Sequence, residues 1–310
     1  MRFPTLSPRV SVSMVQSSAL ESAHAATVDR LVDALQLDDW DYASSFGVDA
    51  LTREELRCTM RGFESPTKSG VAWCSALAVA RGIDDDCIID ECRADTVWRS
   101  DISCWNAPVD DVPHLLAAVT VEASGVSLSL EFLPRADGGY DRSVEAAGGA
   151  YAEPASREAF AMAAVRADLE DKYFGADAFR WRAGVLLGGE TSGGRGGYGA
   201  AALPWRGPLC LECRLPLEQF DTCIAARESA IDLWLGWKGE ARARPLDHVA
   251  TTRVYKRDTK LREAHTKFSE KKFCDAFGYI LGQSIASAHA GPEDMAKHSQ
   301  LGQGSGGGMV

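Results

Sequence analysis

The 310-residue sequence predicts an α+β fold: an α/β/α sandwich whose central, largely antiparallel sheet is covered by helices on both faces. Three observations carry this expectation. The strongest strand pattern lies in Leu115–Asp137, where Val126, Leu128, Leu130 and Phe132 alternate with Ser127, Ser129 and Glu131. Ala123-Ser124-Gly125 can turn that run back onto Leu116–Glu122 as a β-hairpin, which needs a larger sheet around it to be stable. The β-like runs before it, Val71–Val79, Cys87–Cys92 and Val97–Trp105, follow one another without a helical crossover, so antiparallel neighbours are the simple arrangement. Helical patterns flank this block on either side.

Met1–Ala19 holds Arg2, Arg9, five serines and no acid, the composition of a transit peptide's end or of a disordered start. Ser22–Leu37 reads as an amphipathic helix with Val28, Leu31, Val32 and Leu35 on one side. A loop is predicted at Glu64–Gly70, and a Gly/Ala loop at Gly138–Pro154. Ser156 is a candidate N-cap for a helix to Phe174. Ala183–Leu187 and Leu209–Leu215 read as strands, and Pro216 opens a helix through Trp237. A basic segment follows, taken as extended, then a helix from about Glu270 to Ala288. Gly291–Val310 is Gly/Ser/Gln-rich and reads as disordered. One domain over residues 20–290, between the start and the tail, is the expected organisation.

A hydrophobic share of 45% with 25% charged residues is ordinary for a soluble protein. No apolar run reaches the ~18 residues of a membrane span. The net charge of −11 argues against nucleic-acid binding. Nine cysteines without framework spacing suggest reduced thiols. Charge is uneven: residues 238–272 hold eleven Lys/Arg against five Asp/Glu. Such a segment can dock an acidic partner or an anionic ligand, or be a solvated face.

Most motif matches dissolve on inspection. Gly194–Gly199 satisfies GxGxxG, but a proline and a strand follow where a phosphate site needs a helix. Cys210 and Cys213 would point to opposite faces of a strand, and neither they nor Cys87 and Cys92 have a second pair at zinc spacing. Asp84–Asp86 is a solvated turn before it is a cation site. Gly282-Gln-Ser-Ile-Ala286 lacks the strand-to-turn context of a nucleophile elbow. Tyr255-Lys-Arg-Asp-Thr-Lys-Leu-Arg262 remains: one carboxylate among cations, either a salt-bridged acid or a general acid beside an anion-binding group.

Together, Leu130–Asp137, Asp101–Asn106 with Val112–Leu116, Pro208–Leu215, Ala230–Leu235 and Lys256-Arg257-Asp258 resemble, in collinear order, the red chlorophyll catabolite reductases of the ferredoxin-dependent bilin reductase superfamily. Ser22–Leu37 is similar to the family's first helix. The resemblance implies a single reductase-like domain with an open tetrapyrrole pocket between the sheet and the C-terminal helices. It implies an oxidoreductase acting on CH–CH groups, with single electrons from reduced ferredoxin as partner and no bound metal or flavin. The substrate would be an open-chain tetrapyrrole, red chlorophyll catabolite, reduced to the primary fluorescent catabolite in the chloroplast; a homodimer is compatible. Asp258 matches the family's catalytic aspartate. Lys256, Arg257, Glu122, Glu131 and Arg135 would contact substrate. In one departure, Ala118 stands where plant members carry a glutamate on the first hairpin strand, leaving Glu122 to take over. A non-enzymatic tetrapyrrole carrier of the same fold, or a bilin reductase acting on biliverdin, are the alternatives.

Overall fold

The computed structural model describes residues 8–53, 56–81, 97–110, 112–122, 124–133, 190–191, 210–241 and 248–292. Nine described strands form one sheet: β1 (Asp38–Asp39), β2 (Ala50–Arg53), β3 (Leu56–Ser65), β4 (Val71–Arg81), β5 (Val97–Asn106), β6 (His114–Glu122), β7 (Gly125–Leu133), β8 (Glu190–Thr191) and β9 (Cys210–Leu215). Their order is β1-β3-β4-β5-β6-β7-β9-β8, with β2 pairing β3, and every pairing is antiparallel. The predicted hairpin is β6–β7, closed in the register Val121↔Val126 and Glu122↔Gly125, in mid-sheet as expected. Gly125 is obligatory there for want of room: a Cβ would stand 2.6 Å from the Leu215 carbonyl oxygen on β9.

Four described helices cover the sheet: α1 (Pro8–Leu35), α2 (Phe220–Ala241), α3 (His248–Phe277) and α4 (Tyr279–Ala290). The period-2 alternation sorts side chains onto two layers. Cys74 and Ala76 of β4, Ile102 and Cys104 of β5, Leu115, Ala117 and Val119 of β6, and Val126, Leu128, Leu130 and Phe132 of β7 form the main core with α1 and α2, including Leu31, Ile231 and Trp234. Within this layer Arg227 of α2 is fully buried and satisfied, donating to Ser100 Oγ and Thr27 Oγ1, each at 2.9 Å. On the other face, α4 packs over Cys58, Met60, Leu77 and Val79 through Ile285, Ala286 and Ala288.

Two sequence expectations change. Helix α1 begins at Pro8, ahead of the predicted Ser22, because nothing from Val10 to Leu35 is Pro or Gly. The basic segment, taken as extended with a helix starting at Glu270, is instead the continuous α3, also free of Pro and Gly. That helix stops where Gly278 takes φ 83° and turns the chain into α4. Gly282 then lets α4 lie against α3, since a Cβ would come within 2.4 Å of the Cys274 backbone nitrogen. The elbow-like Gly282–Ala286 is thus a helix–helix contact. Cys58, Cys74, Cys104, Cys213, Cys223 and Cys274 are free thiols. The predicted elements at Cys87–Cys92, Ser156–Phe174 and Ala183–Leu187, and the motifs at Asp84–Asp86 and Gly194–Gly199, lie outside the described residues.

Because Gly282 sets how close α3 comes to α4, Gly282→Val should lower unfolding stability by about 1–3 kcal/mol through overpacking. Urea titration followed by circular dichroism reads this; an unchanged midpoint contradicts the contact.

Candidate functional site

The sheet face under α3 is polar where a core face should be apolar. Four cross-strand rows, given by the strand register, define it. The first runs Trp73–Trp105 and then His114–Leu133; the second is Ser75–Ser103–Leu116–Glu131. The third is Leu77–Asp101–Ala118–Ser129–Glu212, and the fourth Val79–Arg99–Thr120–Ser127–Arg214. Ser75, Asp101, Ser103, His114 and Glu131 on this face are all buried. Burying so many polar groups costs free energy unless each finds a partner, so a face of this kind is kept for a reason other than stability. Ser103 Oγ and Trp105 Nε1 are buried with no hydrogen-bond partner among the described residues, donors that a bound molecule can use.

Helix α3 supplies the roof. Asp258, Leu261, His265, Phe268 and Lys272 recur at steps of three and four, so they lie along one side of the helix. Leu261 packs with Trp105, Leu116 and Leu133, and His265 sits edge-on to Trp105 at 5.4 Å. A small cavity of about 30 Å³ between roof and floor is lined by Asp101, Ala118, Ser129 and Glu131 below and by His265 and Lys272 above.

At one end of the pocket a chain of anchors fixes His114. Lys238 of α2 donates to Asp110 Oδ2 at 2.6 Å, while Asp110 Oδ1 accepts from the Val112 N–H. Asn106 Nδ2 donates to the Val112 and Pro113 carbonyls, and Trp234 Nε1 donates to Pro113 as well. The β5–β6 turn is held on both sides. The Asn106 backbone N–H then donates to His114 Nδ1 at 2.9 Å. With Nδ1 an acceptor, the ring's proton is on Nε2, and that N–H donates to Asp258 Oδ1 at 3.0 Å. Asp258 is almost enclosed, with 12% of its side chain exposed, and His114 is wholly buried. The pair ties α3 to the sheet and fixes one carboxyl oxygen.

At the other end charges are packed densely. Arg99 donates through Nε at 3.0 Å and through Nη2 to Asp101 Oδ2, and its guanidinium lies over the Phe273 ring. His289, at the end of α4, places Nε2 3.4 Å from Asp101 Oδ1. Burial pushes the Asp101 carboxyl up, but Arg99 and His289 outweigh it and hold it well below the usual carboxylate range. The Arg99 charge, aided by desolvation, pushes the Lys272 ammonium down to about 8.

Of the residues singled out in the sequence, Glu131 lines this pocket, while Asp258 lies beyond its lining, on His114 of the same sheet face. Along helix α3, Leu261 and His265 share the side that carries Asp258. The side chains of Lys256 and Arg257, and all of Arg135, lie outside the described residues. Glu122 sits at the hairpin's turn, beyond the pocket lining, paired with Arg214 at 2.9 Å. Ala118 is in the floor, and the acid beside it is Asp101, directly across on β5. His114, Asp101, Arg99, His265 and His289 were not legible as site residues. Two faint signals existed, the Asx-like Asn106 ahead of the turn and the 3–4 spacing from Asp258 to His265.

A cleft of about 430 Å³ lies on the opposite sheet face, between α1 and β3–β5. Its arginines are engaged, Arg57 with Glu21 and Arg61 with Asp29 and Asp39, and its His24 bonds Ser100 Oγ. It lacks the carboxylate–imidazole geometry of the α3 side. Among the described residues no group of three or more His, Cys, Asp or Glu is arranged to hold a metal ion. No described helix is long and apolar enough to cross a membrane.

The chain is similar to tomato phytochromobilin synthase crystallised in complex with biliverdin, at 11% identity and a TM-score of 0.55, over 91% of this chain and 84% of that one. No protein-family model and no curated protein matches the sequence.

Lys272 with a value near 8 should be acylated by a dilute anhydride at pH 8 ahead of the ordinary lysines. Arg99→Leu removes the repelling charge, raises the ammonium's affinity for its proton and should slow that labelling several-fold, read by peptide mass spectrometry. Equal labelling in both proteins contradicts the assignment.

Proposed function

We propose that the chain is a reductase of open-chain tetrapyrroles. It takes single electrons from reduced ferredoxin and protonates the substrate from Asp258. The observation that carries this reading is the buried polar sheet face with the His114–Asp258 pair beneath α3. The resemblance of Lys256-Arg257-Asp258 to a family's catalytic segment, and a fold in common with an enzyme crystallised with biliverdin, point the same way.

Reduction of one carbon–carbon double bond consumes two electrons and two protons. Ferredoxin supplies the electrons one at a time, so a radical intermediate is expected between them. The substrate would lie flat on Ala118 and Ser129, the small residues of the third row, with Phe268 above it. Asp258, oriented by His114 through Oδ1, is the group that carries and delivers a proton. His114 cannot itself take that proton without giving up the Asn106 bond. The cations at the far end, Arg99 and Lys272, and the basic run of α3 would receive the substrate's carboxylates or acidic ferredoxin.

Red chlorophyll catabolite is the substrate we propose, on the strength of the sequence resemblance, with the product made in plastids. Biliverdin is the second reading, favoured by the ligand of the similar structure.

Under anaerobic conditions with reduced ferredoxin, Asp258→Asn should lose about 10²–10⁴-fold in turnover while still binding substrate. Unchanged turnover would sink the assignment. The wild-type rate should fall as salt rises from low values, since docking on the basic run is screened within about 10 Å at 0.1 M. A flat salt profile contradicts steered docking.

A further inference from the structure

The cleft of about 430 Å³ on the α1 side of the sheet has no part in the reductase reaction, and its size is that of a small-molecule site. Its floor follows from the strand register. Three cross-strand rows, Arg57–Ala80–Trp98, Thr59–Ala78–Ser100 and Arg61–Ala76–Ile102, place alanines at alternate positions of β4. Alanine is depleted in strands, where larger side chains fill the space under a helix. Here the alanines leave a shallow bed, and Ala78 is only half-buried although β4 is an interior strand of the sheet.

The roof is α1, and two ion pairs fix where it runs. Arg57 bonds Glu21 at 2.7 Å, and Arg61 lies 3.9 Å from Asp29. The two acids are eight helical residues apart and the two arginines four strand residues apart, spans of about 12 Å and about 14 Å. The helix therefore runs alongside β3, and the mouth of the cleft opens between the pairs. These side chains are half exposed or more, and ion pairs of that class contribute little, so the guanidinium groups can turn to another anion. The back wall is built differently, around His24, which is nine-tenths buried. Arg227 Nη1 donates to Ser100 Oγ at 2.9 Å, and the Ser100 hydroxyl has His24 Nδ1 beside it as acceptor at 2.7 Å. With Nδ1 accepting, the ring's proton is on Nε2. That nitrogen has no hydrogen-bond partner among the described residues, and His24 lines the cleft. Burial and the Arg227 charge push the ring down to about 4, which keeps it a neutral donor at neutral pH. An N–H so enclosed and without an acceptor costs free energy that a ligand oxygen recovers.

We propose that this cleft binds a planar aromatic carboxylate with a second oxygen at its far end. The rings lie along the middle row, on Ala78 and under Ala25 and Val28 of α1. The carboxylate sits at the mouth beside Thr59, between Arg57 and Arg61, and the far oxygen accepts from His24 Nε2. From β3 to β5 is two strand spacings, about 10 Å, the reach of a fused pair of rings with a polar group at each end. A flat body suits a space closed by a sheet below and a helix above, and the spare N–H groups of each guanidinium suit a carboxylate. The sheet itself separates this cleft from the pocket under α3, so the inference is independent of the reductase reading.

The probe is 6-hydroxy-2-naphthoate, titrated into the full chain and read by its own fluorescence. Saturable binding by the wild type is expected, and Ala78→Phe, which fills the bed, should abolish it. Arg57→Gln combined with Arg61→Gln should weaken binding about tenfold or more, and His24→Phe, which keeps a ring but loses the donor, about tenfold. 2,6-Dihydroxynaphthalene lacks the charge and decanoate lacks the rings, and each should bind about tenfold more weakly than the naphthoate. Absence of saturable binding by the wild type overturns the proposal, as does wild-type affinity in an Ala78→Phe protein shown by circular dichroism to be folded. If that variant does not fold, unchanged affinity in the double arginine variant overturns it equally. Decanoate binding as tightly as the naphthoate overturns the planar class, and dihydroxynaphthalene doing so overturns the carboxylate at the mouth. None of these outcomes depends on whether the chain reduces a tetrapyrrole.

Discussion

The bond from His114 Nε2 to Asp258 Oδ1 joins helix α3 to the sheet beside the pocket, and the arrangement of the site depends on it. It spans 144 positions of sequence, and each end is prepared in advance. On the sheet side, Lys238, Trp234 and Asn106 hold the β5–β6 turn so that a backbone N–H decides the tautomer of His114. On the helix side, Leu261 packs one turn beyond Asp258 against Trp105, Leu116 and Leu133. A carboxyl group so placed has one oxygen fixed and little solvent around it. Preorganisation of that kind is what proton transfer at a defined atom requires.

The two faces of the sheet show why stability and function could be kept apart. The α1/α2 layer buries an almost unbroken apolar set, including Leu115, Val119, Leu128 and Trp234, with Arg227 satisfied by neighbours. Folding free energy is concentrated there. The face under α3 is then free to carry Asp101, Ser103, His114 and Glu131, side chains that a stability-driven core would replace. Ala118 and Ser129 are the small residues of that face, between Asp101 and Glu212.

Much of this was legible in the sequence, and the failures have physical causes. The alternation of Val126 to Phe132 located the hairpin because period 2 survives whichever face becomes the site. The same alternation could not say that Ser127, Ser129 and Glu131 face inward. Helix α3 was missed because its inward stripe, Asp258, Leu261, His265, Phe268 and Lys272, is polar at three of five positions, so the usual apolar periodicity is absent. The residues that make a site erase the pattern that reveals the helix. His114 looked like a lone strand histidine, and the Asp101–His289 pair is joined only by the tertiary fold, through a contact no local pattern encodes. Asp258, legible through a resemblance, is the exception.

If the sheet is divided in this way, the α3 face receives the ligand and the α1 face does not. Biliverdin titrations of two bulky variants distinguish the faces, with Ala118→Phe filling the floor under α3 and Ala78→Phe placed in the cleft beneath α1. Ala118→Phe is expected to abolish the absorbance shift of bound biliverdin while Ala78→Phe preserves it. Undiminished binding by Ala118→Phe, with loss in Ala78→Phe, would place the ligand on the wrong face and contradict the site.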